Sequence, residues 1–159
     1  MTTPVIVVAY DGSAAARAAL RRGIERARGG KLFIVHVYDA PKAFWGPQHH
    51  QDVLERALSR GEDLLDDVLD AEPGLADIAY ETELIPGDPA EVVANVAEVR
   101  GAHEIILGTR GFGPARAVLG SVAHGLLHLA PCAVTVIPER AVAQAEQPAA
   151  PPAGTAHSR

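Results

Sequence analysis

The chain contains a single cysteine, Cys132. A lone thiol excludes an intramolecular disulfide and any zinc site built on cysteine pairs. Long hydrophobic runs are also missing. The first apolar stretch, VIVVAY at 5–10, is far too short to span a bilayer and is closed by Asp11. No basic leader followed by a longer apolar stretch is present, so no secretion signal is read and a cytoplasmic protein is expected. Positive charge is scarce. Fourteen Lys and Arg stand against twenty Asp and Glu, for a net charge of −6. That balance excludes non-specific binding to nucleic acid or anionic membrane, which needs a basic face. A small anionic ligand stays open, because one loop can be locally positive.

Three phosphate-handling motifs are absent as well. There is no GxxxxGK[ST], so no P-loop lysine is available. No GxGxxG follows the first apolar run, which argues against a dinucleotide fold. No lysine occurs after Lys42, and the third apolar segment ends in Leu84-Ile85-Pro86 rather than an aspartate. A receiver domain needs both a late lysine and that acceptor, so this reading fails.

What remains is enough for one domain. The chain has 159 residues and an apolar fraction of 48%, with a mean hydropathy of +0.08. These values fit a soluble globular chain with an adequate core. Val5–Tyr10 and Leu32–Tyr38 are continuous apolar runs, as expected of strands buried on both faces. Between them Ser13 caps an Ala-rich helix reaching about Arg28, with Ala16, Ala19, Leu20, Ile24 and Ala27 on its packed side. A loop over 39–50 holds Pro41, Trp45, Pro47 and His49-His50. Apolar residues at 54, 57/58, 61, 64/65 and 68 then mark a second helix, which Pro73-Gly74 breaks. Ile78–Leu84 alternates apolar and polar and predicts an edge strand. Asp88-Pro89 with Glu91 is a strong helix start, and that helix carries Val92, Val93, Val96 and Val99 to Gly101. A Glu104–Leu107 strand, a Ser121–Leu129 helix and an Ala133–Ile137 strand complete the pattern. The Ala/Pro-rich segment 139–159 has no apolar periodicity and is read as a disordered tail to a 1–138 domain.

Five strands alternating with four helices imply α/β architecture, an open parallel sheet with helices on both faces. Right-handed crossovers leave few topologies but do not choose among them. Ligands in such sheets sit beyond the carboxyl ends of the strands, where the strand order reverses. Asp11 and Gly108 both stand at carboxyl ends. After Gly108 a turn-rich loop with Gly111, Gly113 and Pro114 leads to Gly120-Ser121, which opens a helix. Glycines there allow backbone N–H groups to approach a ligand, and a helix start favours an anion.

Three segments resemble the universal stress protein family. They are VIVVAYDGSAAARAAL (Val5–Leu20), IVHVY (Ile34–Tyr38) and GTRGFGPARAVLGSVAHGLLHLAPCAVTVIP (Gly108–Pro138), within a likeness that covers residues 4–138. The resemblance implies a five-stranded sheet in the order 3-2-1-4-5, of the adenine nucleotide alpha hydrolase-like type. It implies ATP, with Mg²⁺, at the switch point, and a homodimer paired through the last strand, Ala133–Ile137. Carried over, Asp11 contacts the ribose or a phosphate-bound metal. Ala9 and Val37 border the adenine, beside Tyr10. Gly108, Gly111, Gly120, Ser121 and Val122 hold ribose and phosphates, flanked by Leu107 and Arg110. One feature departs from the family pattern. Gly111 and Gly120 enclose eight residues, Phe112 to Leu119, where nucleotide-binding members have nine. One residue is about 100° of helical phase, so the outer loop wall differs while the Gly120-Ser121 helix start is kept.

Other motifs read as structural. His124 and His128 stand four apart on a helix without a third ligand. His36, between Val35 and Val37, reads as a satisfied core histidine, and Cys132 as a buried, inert thiol. No nucleophile, base and acid stand together. The expected function is that of a stress-response regulator in which ATP is a ligand. The alternatives are a slow ATPase on the same site, or a nucleotide-free dimeric interaction module.

Overall fold

The computed structural model describes residues 3–39, 47–109 and 119–138. Five strands, β1 (Val5–Ala9), β2 (Lys31–Tyr38), β3 (Ala79–Pro86), β4 (Glu104–Thr109) and β5 (Ala133–Pro138), form one sheet. Its order is β3-β2-β1-β4-β5, and every neighbouring pair is parallel. The helices are α1 (Ala14–Arg26), α2 (Pro47–Ala71), α3 (Pro89–Arg100) and α4 (Ser121–Leu129). A 3-10 turn at Pro73–Asp77 leads into β3. The expected fold class and strand order are those observed.

Side chains of a strand alternate between faces, and here each face has its own core. Ile6, Val8, Ile34 and Ile106 pack with Leu20, Ile24, Leu65 and Val68 of α1 and α2. Val7, Val35, Ile105 and Leu107 pack with Val93, Ala97 and Leu126 of α3 and α4. Burial on both faces explains why β1, β2 and β4 read as unbroken apolar runs. Each fully buried aliphatic side chain contributes about 1.5–3 kcal/mol of transfer free energy.

The helix signals act as their chemistry requires. The Ser13 hydroxyl accepts the Ala16 N–H at 3.1 Å. The Asp88 carboxylate accepts Ala90 N–H at 3.0 Å and Glu91 N–H at 3.1 Å. Gly101 ends α3 in the left-handed region, φ 62°. Two expectations differ from the structure. Residues 47–50, expected in a loop, already belong to α2, which opens on Pro47, a residue suited to the first helical turn. Val99, expected to pack, is 75% exposed because it lies about 200° of helical phase past the fully buried Ala97, on the solvent side of α3.

At the amino end of β4, Glu104 is buried. It accepts the Thr135 hydroxyl of β5 at 2.6 Å and Arg26 Nε of α1 at 2.8 Å. Burial raises its pKa, but the Thr135 hydroxyl and the Arg26 guanidinium outweigh that and hold the carboxyl below its ordinary value. A depressed folded pKa contributes stability that is fully present above the unfolded glutamate value, about 4.3. It is lost as pH falls through the lower folded value. Glu104→Gln is therefore expected to cost about 1–3 kcal/mol at pH 7. The difference from wild type should shrink as denaturation is repeated below pH 4. A constant difference across that range would remove the charge from the account.

Candidate functional site

The chain leaves β1 towards α1 on one face and enters β4 from α3 on the other, so a crevice opens between the carboxyl ends of β1 and β4. A cleft of about 480 Å³ lies beside it, at the carboxyl ends of β1 and β2 and lined also by the starts of α3 and α4, within the usual range for small-molecule sites. Its walls differ in chemistry. Ala9, Val35, Val37 and Val93 line an apolar side, closed by Pro89 at the start of α3. Gly120, the N-cap of α4, and Ser121 and Val122 of its first turn also line the cleft. Asp11 and Asp39 add two exposed carboxylates.

The floor is held by backbone geometry. Tyr10 N–H donates to the Val35 carbonyl at 2.8 Å, which extends the β1–β2 pairing beyond β1. His36 Nδ1 lies 2.8 Å from the Tyr10 carbonyl oxygen. A carbonyl only accepts, so Nδ1 carries the proton. The satisfied-histidine expectation holds, and His36 also borders the cleft. The Asp11 carboxylate accepts the Ser13 N–H at 2.9 Å. Arg17 Nη1 donates to the Gly12 carbonyl at 2.7 Å, so the turn after β1 is tied to α1. Tyr10 packs in the core under α1 and α2. Burial pushes its phenol up, only partly offset by Arg17, so it stays protonated at neutral pH.

The α4 end is different. Ser13 and Asp88 cap α1 and α3 with their side chains, but Gly120 gives α4 no side-chain cap. The first N–H groups of a helix have no partner within it, and Ser121 and Val122, which begin α4, line the cleft. A Cβ on Gly120 would meet only the Thr109 hydroxyl oxygen, at 3.9 Å, among the described residues. Among the described residues, nothing in the packing therefore demands glycine at 120.

Of the residues singled out by sequence, Ala9, Tyr10, Asp11, Val37, Gly120, Ser121 and Val122 come together in this cleft. Leu107 and Gly108 do not line it. Leu107 is buried in the second core. Gly108 faces α1 instead, where a Cβ would stand 2.5 Å from the Ala15 carbonyl carbon and 2.6 Å from the Ala16 nitrogen. Arg110 and Gly111 lie outside the described residues, as do Phe44, Trp45 and the tail. Sequence reasoning missed Val35, Asp39, Pro89 and Val93. Asp39 carried a readable signal, since it follows the strand that pairs with β1. The others come from the folding of α3 over the sheet.

No group of three His, Cys, Asp or Glu able to hold a metal exists among the described residues. A Mg²⁺ at Asp11 would take most of its oxygens from ligand and water, the usual manner for phosphate-borne Mg²⁺. His124 and His128 are exposed and stack edge to face, ring centroids 5.1 Å apart. Burial first, then the nearby Glu104 carboxylate, pushes the Cys132 thiol up, so it stays protonated and unreactive at neutral pH.

Residues 3–138 match the family model described as the universal stress protein family. The chain belongs to that family. A universal stress protein of Thermus aquaticus is 32% identical over 136 residues, spanning 83% of this chain and 96% of its own. Among solved folds, a universal stress protein in complex with cAMP superposes with a TM-score of 0.66 at 20% identity, covering 87% of this chain and 99% of that one. A family member from Arabidopsis thaliana with AMP bound gives 0.62 at 19% identity, covering 85% and 91%. At these identities the two structures attest the shared fold. No helix among the described residues is long and apolar enough to cross a membrane.

Proposed function

We propose that this universal stress protein binds ATP, with Mg²⁺, in the cleft at the carboxyl ends of β1 and β2 and acts as a regulatory homodimer. The observation that carries the reading is the mixed lining of the cleft, apolar side chains beside a helix start and carboxylates. Its apolar side chains, Ala9, Val35, Val37 and Val93, suit an adenine ring. The start of α4 offers uncapped helix N–H groups and the Ser121 hydroxyl, which suit phosphate oxygens. Asp11 stands where a carboxylate accepts from ribose hydroxyls or shares a phosphate-borne Mg²⁺. Family structures holding AMP and cAMP support an adenine nucleotide in this fold.

The proposed pairing edge is β5. The opposite edge, β3, carries Glu81 and Glu83 in ion pairs with Lys31 and Arg100, and charge on an edge strand discourages pairing. Strand β5, AVTVIP, has no charged residue. Native mass spectrometry of the purified chain with ATP and Mg²⁺ tests both parts at once. A dimer carrying two nucleotides is expected. A dimer that takes up no ATP at millimolar ligand would replace this reading by an interaction module without nucleotide. A monomer at high micromolar concentration would remove β5 as an interface.

A further inference from the structure

Helix α4 turns one side away from the protein. Ala123 and Leu126 pack into the core beneath it, and Gly125 sits against Ala90 of α3. His124 and His128 stand on the other side, both exposed. Residues spaced this way are neighbours on a helix surface. Their rings meet edge to face, with centroids 5.1 Å apart and planes at 72°. Among the described residues neither ring has a hydrogen-bond or ion-pair partner. Each neutral imidazole therefore keeps a nitrogen lone pair to offer.

We propose that His124 and His128 form a two-histidine chelate for a divalent transition-metal ion such as Zn²⁺ on the outer side of α4. Imidazole nitrogen is a ligand that such ions select, whereas Mg²⁺ and Ca²⁺ take oxygen. Zinc–nitrogen bonds of about 2.0–2.1 Å require the two nitrogens about 3 Å apart. Rings with centroids 5.1 Å apart reach that separation by turning about side-chain bonds that no other partner holds. His128 lies in the last turn of α4, where the carbonyl end of a helix favours positive charge. The missing third ligand, which made the pair read as structural in the sequence, sets the kind of site. Two protein ligands leave the other positions to water, so the ion is held in an open, exchangeable site rather than a closed four-ligand one. This site does not depend on the nucleotide reading.

Calorimetry of the full chain with Zn²⁺ alone, without nucleotide, tests it. One tight ion per chain is expected. Loss of even an outer-shell partner costs a metal site about 10–100-fold in affinity, so His124→Gln and His128→Gln should each weaken Zn²⁺ at least about tenfold. Zn²⁺ should also raise the melting temperature of wild type by mass action, and of neither variant. Without metal the variants should melt with wild type, because the substituted side chains are exposed. Mg²⁺ should not distinguish the three proteins. Zn²⁺ binding that survives in both variants overturns the chelate and moves the ion to other histidines. A loss in only one variant overturns the pairing, and one ion per two chains overturns chelation within a single helix. Neither heat nor thermal shift in wild type at high micromolar Zn²⁺ overturns the site outright and leaves the ATP reading untouched.

Discussion

Gly108→Ala is expected to fold poorly and to melt roughly 6–12 °C below wild type, a loss of about 3 kcal/mol or more. The added methyl has nowhere to go. Its carbon would stand 2.5 Å from the Ala15 carbonyl carbon, 2.6 Å from the Ala16 nitrogen and 2.7 Å from the Ala15 Cβ. Two of these three are backbone atoms of the first turn of α1, so no rotamer change relieves the clash. Helix α1 must lift from β4, and with it the buried contacts of Ala16, Ala19 and Leu20 against Ile106. Overpacking a core commonly costs about 1–3 kcal/mol, and more where backbone has to move. That is a large part of the total stability of a domain, about 5–15 kcal/mol. Thermal denaturation of the ligand-free variant makes the measurement. If Gly108→Ala melted like wild type and lost only ATP affinity, Gly108 would regain the ribose role that family resemblance assigns to it.

The same glycine shows what was legible in the sequence. Strands β1, β2 and β4 were readable because burial on both faces leaves nothing but apolar residues. The starts of α1 and α3 were readable because Ser13 and Asp88-Pro89 satisfy helix N–H groups locally. The start of α2 was missed, since its first turn, PQHH, is polar and Pro47 was taken for a loop residue. Val99 belongs to the apolar set of α3, yet it lies about 200° of helical phase past Ala97 and so falls on the solvent side. Strand order came from family likeness, because crossover handedness alone admits several orders. Of the site residues at strand ends, Asp11 is marked by local sequence, whereas Ala9 and Val37 came from family likeness. Val93 and Pro89 reach the cleft only through the packing of α3. The face assignment at Gly108-Thr109 depends on a phase of one residue, which the run ILGT does not display.

Gly120→Val, in contrast, is expected to keep the fold and lose the ligand. Among the described residues, a Cβ at this position meets only the Thr109 hydroxyl, at 3.9 Å. The backbone there, φ −60° and ψ 155°, is open to any residue. The remaining structural cost is that of a branched residue at a helix N-cap, about 1 kcal/mol, or roughly 2–4 °C in melting temperature. On the ligand side the substitution places two methyl groups over the start of α4, where phosphate oxygens should meet the backbone N–H groups. Each lost charge-assisted hydrogen bond is worth about 1.5–3 kcal/mol, so ATP affinity should fall at least about a hundredfold. Adenosine, which needs only the apolar side of the cleft, should lose far less. Calorimetry with both ligands, beside a melting curve, separates the effects. A folded Gly120→Val protein that binds ATP as tightly as wild type would place the phosphates away from α4, and the mixed-lining account of the cleft would fail.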